Sequence, residues 1–238
     1  SSVAAWQDDP GVQIHGPGYS KVLIGPDRLD GWEEDLEVLT DSIAINGGRS
    51  CINASGVWVT GRGREVADRL AAQLAQIEAR GLDDPQAQLA AFGNPEIARR
   101  IDAMIDSRLQ GGAEDMTARH RQGPRLVEKD GCTFLLPTVV YCQSADHPLA
   151  NSEFLFPFAA VVEAPSERIV EDMGPTLVLS ALTSDAELVS RLLAAPTVER
   201  LNIGSLPTNR ISWDQPHEGN LFEFLYQQRA FQTLDAAV

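Results

Sequence analysis

Asn46-Gly47-Gly48-Arg49-Ser50-Cys51-Ile52-Asn53-Ala54-Ser55 joins two stretches with different hydrophobic periods. Before it, Trp32, Leu36, Leu39 and Ile43 recur at helical spacing. After it, residues 56–60 are rich in side chains that favour strands. Gly47-Gly48 is therefore expected to stop a helix that leads toward Asn46, and Cys51 sits on a helix-to-strand turn. Glycines let a chain turn sharply there and let another group come close to the backbone. A thiol on such a turn is reachable, as a nucleophile must be. An ordinary thiol has a pKa of about 8.5, so some thiolate exists near neutrality without a paired histidine. Residue type alone leaves a second reading open, because unpaired cysteine is also among the most buried of residues.

Working outward, the elements alternate. Residues 21–24 read as a short apolar strand. Val66, Leu70, Leu74 and Ile77 mark a second amphipathic helix, ended by Gly81. Ile97, Ile101, Met104, Ile105 and Leu109 mark a third. The polar run 110–123 reads as an exposed loop. Strands are expected over 133–140, 158–162 and 176–182. Ser184 with Glu187 predicts a capping box, with Leu188, Leu192 and Leu193 facing inward. A short strand over 201–203 and an aromatic-rich helix over 220–231 follow. The fold class is α/β: an open, twisted, mostly parallel sheet with helices on both faces. No linker divides it, so residues 1–238 are read as a single domain.

Composition narrows the function. The chain has 238 residues, 43% hydrophobic and 22% charged, with a formal net charge of −15. Such a surface repels phosphate backbones and anionic bilayers, so neither nucleic acid nor membrane is expected as a partner. No apolar run approaches the roughly 20 residues that span a bilayer. The three cysteines, Cys51, Cys132 and Cys142, are odd in number and far apart. That argues against a disulfide framework and for a cytoplasmic setting. Cys132 and Cys142 lie in strand-like stretches and read as packing residues. His15, His120, His147 and His217 show no ligand spacing, so no metal site is expected. Gly61-Arg62-Gly63-Arg64 lacks a third glycine and reads as an ordinary strand-to-helix turn. Trp32, Trp58 and Trp213 read as core or interface residues. The chain opens Ser1-Ser2-Val3 without an initiator Met, and further sequence is expected upstream.

The run Asn46-x-Gly48-x-x-Cys51 with Ile52-Asn53-Ala54-Ser55 and Val57-Trp58-Val59 resembles the cysteine motif of the aldehyde dehydrogenase superfamily. Gly131-Cys132-Thr133-Phe134 with Pro137-Thr138-Val139, then Ser152-Glu153-Phe154-Leu155-Phe156-Pro157, resemble later segments in the same order. The family's Glu-Ile-Phe-Gly-Pro carries Phe156 here in place of its glycine. The resemblance implies that 1–238 is the catalytic, cysteine-bearing domain, with the N-terminal dinucleotide-binding domain missing. It implies an oxidoreductase in which Cys51 attacks an aldehyde and forms a thiohemiacetal. Hydride then passes to NAD or NADP, leaving a thioester. It assigns Cys51 as catalytic, Asn46 and Gly48 as oxyanion or supporting residues, and Glu153 and Leu155 as cofactor-binding, Glu153 accepting from ribose hydroxyls. It also implies a homo-oligomer and an aldehyde or acyl-thioester substrate. The fragment alone is expected to be inactive.

One departure opens alternatives. The family's Glu-Leu-Gly-Gly glutamate activates water, but Gln13-Ile14-His15-Gly16-Pro17-Gly18-Tyr19-Ser20 holds no carboxylate. His15 falls near that position, either as a base or as a loop residue bonding locally. Transfer of the acyl group to coenzyme A needs no activated water, so a CoA-acylating dehydrogenase or acyl-CoA reductase stands as one alternative. A non-catalytic oligomerisation or scaffold module is another. Substrate contacts are expected around Cys51 and from 204–209, past a strand end.

Overall fold

A computed structural model describes residues 4–9, 11–12 and 14–212. The helix expected over 220–231, with Trp213 and His217, lies outside them. Among the described residues, seven strands form one sheet: β1 (Lys21–Ile24), β2 (Gly56–Val59), β3 (Ala113–Asp115), β6 (Thr138–Cys142), β7 (Phe158–Glu163), β8 (Thr176–Leu182) and β9 (Val198–Ile203). Their order is β3-β6-β7-β2-β1-β8-β9. All neighbours run parallel except the edge strand β3, which is antiparallel to β6. Two further strands, β4 (Leu126–Lys129) and β5 (Cys132–Leu135), form a separate antiparallel pair.

Both faces of the sheet are covered, so its central strands are mostly apolar, with Lys21 and Glu163 at strand ends. Side chains alternate between two cores. Val22, Ile24, Val57 and Val59 pack under α1 (Leu36–Ala44) and α2 (Gly63–Leu74) with Leu39, Ile43, Val66 and Leu70. Leu23, Trp58, Ala160 and Val162 face the other way. There they meet Ala98 and Ile105 of α3 (Pro95–Arg108), Ile169 of α4 (Ile169–Met173) and Leu188 and Leu192 of α5 (Ala186–Ala194). Trp32 and Trp58 are fully buried, as their core reading requires.

Several expectations change. The strand over 133–140 is two strands, because Pro137 cannot donate to a ladder. The first half pairs with β4 and the second enters the main sheet. The run 110–123 contains β3, and Asp115, Met116 and Thr117 are buried. Helix α2 ends at Leu74, before Gly81. Asp185 caps α5, accepting from the backbone N–H groups of Glu187 and Leu188. Ser184 instead donates to Asp27. Leu193 is 72% exposed, so it points to solvent. Arg62-Gly63 is a strand-to-helix turn; the Glu163 carboxylate accepts the Gly63 N–H at 2.7 Å.

Candidate functional site

The cysteine loop is built from backbone contacts that only glycine permits. After α1 the chain reverses through Asn46, Gly47 and Gly48, all with positive φ. Gly48 (φ +66) lies so close to the Phe156–Pro157 peptide that a Cβ would sit 2.5 Å from the Pro157 nitrogen. The cysteine motif and the Glu153–Pro157 segment are thus pressed together, backbone on backbone. Asn53 ties the loop to α1: its amide nitrogen donates to the Ser42 and Ile45 carbonyls, and its oxygen accepts the Ser50 N–H. Phe156, where the family carries glycine, is buried with Phe154 and Phe158 in an aromatic cluster.

A third segment closes the arrangement. A Cβ on Gly18 would overlap the Cys51 carbonyl. Ser20 donates to that carbonyl at 2.8 Å and accepts from the Val178 N–H. The Glu153 carboxylate accepts the N–H groups of Gly18 at 3.3 Å and Tyr19 at 2.6 Å. Cys51 is half-buried, as is Glu153. Burial raises the Glu153 carboxyl above the usual range, opposed by the Tyr19 and Gly18 N–H groups and by Lys21. Lys21 is itself buried, donating to the Tyr19 and Pro175 carbonyls and to Thr176. Burial lowers its ammonium to about 8, with Glu153 acting in the opposite direction.

The structure therefore brings Cys51, Gly48 and Glu153 together. Asn46 is exposed and lines, with Gly47, a groove of about 1010 Å³ along α1 and α2 that also carries Glu33, Glu34, Glu37 and Asp41. Leu155 is 56% exposed beside Glu153, and its carbonyl accepts from Arg49. Arg49 also donates to the Ala90 carbonyl and stacks on Phe92. It staples the cysteine loop to two other segments. His15 lines a cavity of about 450 Å³ with Gly16, Tyr19, Thr176 and Glu199. Cys142 is buried, which pushes its thiol up to about 12, and it packs as expected. Cys51, Glu153 and 14–19 all precede strands, so they gather at the amino edge of the sheet. Residue 204 follows β9 at the opposite edge, and 208–209 lie on α1. Gly18, Ser20, Lys21 and Asn53 were not legible as site residues. Among the described residues, no cluster of three metal-ligating side chains occurs, and no helix is long and apolar enough to cross a membrane.

The model of the aldehyde dehydrogenase family matches residues 12–219, nearly the whole chain. The chain belongs to the aldehyde dehydrogenase family. Solved aldehyde dehydrogenase structures share its fold. Lactaldehyde dehydrogenase from Escherichia coli is 17% identical with a TM-score of 0.69, over 84% of this chain and 41% of that one. PnpE from Pseudomonas sp. WBC-3 is 18% identical with a TM-score of 0.70, over 84% and 41%. A putative methylmalonate-semialdehyde dehydrogenase from Sinorhizobium meliloti 1021, complexed with NAD, is 16% identical with a TM-score of 0.68, over 81% and 40%. The chain thus spans about two fifths of the aldehyde dehydrogenases it matches. A search of curated protein sequences found no significant match.

Proposed function

We propose that this chain is the cysteine-bearing domain of an NAD(P)-linked oxidoreductase acting on an aldehyde or the corresponding acyl thioester. The observation that carries this reading is the convergence on Cys51. Three separated segments meet at the backbone of the loop that bears the half-buried Cys51, with Gly18 against the Cys51 carbonyl and Gly48 against the Phe156–Pro157 peptide. Ser20 and Asn53 fix the loop backbone, so the residue that bears the thiol is held in place before substrate arrives. The sulfur bonds to the carbonyl carbon as the C=O π pair moves to oxygen, which takes up the proton the thiol gives up, forming a thiohemiacetal. The former aldehyde C–H then breaks, its hydrogen leaving as hydride while the hydroxyl proton passes to solvent and the C=O bond re-forms, so that a thioester remains on Cys51. NAD(P), when bound, supplies the hydride acceptor.

The residues on this chain fit that cofactor. Leu155 offers exposed apolar surface for a nicotinamide ring. A carboxylate has roughly four acceptor positions, and the two backbone N–H groups leave others on Glu153 for ribose hydroxyls. Gly48 supports the loop. Asn46, in left-handed geometry at the helix end, starts the reversal that presents it.

The acyl acceptor is read from the segment beside Cys51. Residues 14–19 carry His15 and no carboxylate, which favours transfer to coenzyme A over attack by activated water. In the hydrolytic version, His15 is the base. Labelling with iodoacetamide tests the central assignment. Cys51 should alkylate at least tenfold faster than Cys132 and Cys142; equal, slow labelling of all three would leave a fold-retaining scaffold. With the nucleotide-binding part present, acyl-CoA formation supports the acylating reading. Acid production without coenzyme A excludes it.

A further inference from the structure

The turn at Gly18–Tyr19 is held in place from outside. The segment leading into it, 14–17, is exposed, so its own packing does little to fix it. Tyr19 has φ +47, a left-handed conformation that a bulky aromatic residue seldom adopts. Such a conformation persists when surrounding contacts impose it. The contacts that impose it come from far along the chain. Glu153, in the turn before β7, receives both successive N–H groups of this reversal, and bonds of this kind to an ionised carboxylate are the strong ones. The Tyr19 carbonyl receives the buried Lys21 ammonium, which is also the counter-charge of Glu153. The same turn presses Gly18 onto the Cys51 carbonyl and delivers Ser20 to it.

We infer that Glu153 is a positioning residue: its carboxylate latches the Gly18–Tyr19 turn against the Cys51 carbonyl and so fixes the loop that bears the thiol. This rests on the reading of Cys51 as nucleophile only for its functional consequence. The latch itself is a property of the folded chain. It gives Glu153 a duty that precedes any cofactor, and it explains why a carboxylate is half-buried beside a lysine.

Amide hydrogen exchange on the full chain tests it, comparing the parent with Glu153→Ala and Glu153→Gln. The peptide covering 14–21 should exchange at least tenfold faster in Glu153→Ala, while peptides in β2, β7 and β8 keep their protection. Glu153→Gln keeps one carbonyl oxygen able to accept and should fall between. In the same samples, Cys51 alkylation should rise threefold or more, with Cys132 unchanged as the internal reference. Unaltered exchange over 14–21 in a variant whose sheet stays protected overturns the latch. If Glu153→Ala does not fold, Glu153→Gln is judged by the same criterion. Failure of Cys51 to label preferentially in the parent removes the nucleophile reading and leaves the exchange result standing, so the two failures are distinct.

Discussion

Gly48 carries two constraints at one position, a positive φ and a peptide bond where a side chain would begin. Gly48→Ala should therefore destabilise the chain by about 2–4 kcal/mol, combining left-handed strain with displacement of the Phe156–Pro157 peptide. Urea denaturation measures it, and a change below about 0.5 kcal/mol would contradict the packing. Lys21 gives a pH prediction. Its folded value, about 8, lies below the unfolded value near 10.5. Between the two, the unfolded chain holds a proton that the native chain has released, so stability rises with pH. The part of the pH 8 to 9 response that Lys21→Met removes should be about 1 kcal/mol. From about pH 8 upward Cys142 acts with the opposite sign, since its folded value of about 12 keeps a proton that the unfolded thiol loses. Cys51 was legible because its motif is local. Lys21 and Glu153 were not legible as a pair, because 132 residues separate two groups whose meaning lies in their contact.

At the scale of elements, the α5 start separates a local signal from its realised geometry. Ser184 and Glu187 have capping-box spacing, yet Asp185 provides the cap while Ser184 turns to Asp27. Asp185→Ala should cost about 1 kcal/mol, read by thermal unfolding. Ser184→Ala should leave the cap and its helix signature intact. Strands β1, β2, β7 and β8 were readable because a parallel sheet covered on both faces forces continuous apolar runs. The division of 133–140 was marked by Pro137, but the partner of each half is decided by distant strands. The polar stretch 110–123 looked solvent-exposed because its acids and bases neutralise one another only after folding. A cysteine on a helix-to-strand turn must stand at the amino edge of a parallel sheet, a consequence of topology that the general rule for carboxyl-edge ligands does not cover.

Over the whole molecule, one charge network ties together three successive segments within residues 102–125. Arg125 is 3% exposed and bonds Asp102 and Asp106 of α3 and Asp115 of β3. Asp115 is shared with Arg121 at 2.6 Å. Arg125→Ala takes from buried Asp115 one of its two guanidinium partners and leaves Arg121, while Asp106 is exposed to water, so the variant should be destabilised by about 2–3 kcal/mol in urea unfolding. A loss under 1 kcal/mol would mean that the network is solvated. The sequence by itself determined the family, the alternation of elements, the two-sided sheet and the placement of Cys51 on a turn, since these rest on hydrophobic period and contiguous motifs. Only the tertiary structure decided that Gly18 and Gly48 close on the cysteine loop, that Glu153 grips an opposing turn, and that Asn46 faces a different groove. Those facts depend on which distant backbones touch, and close approach between segments leaves no periodic trace in a chain of residues.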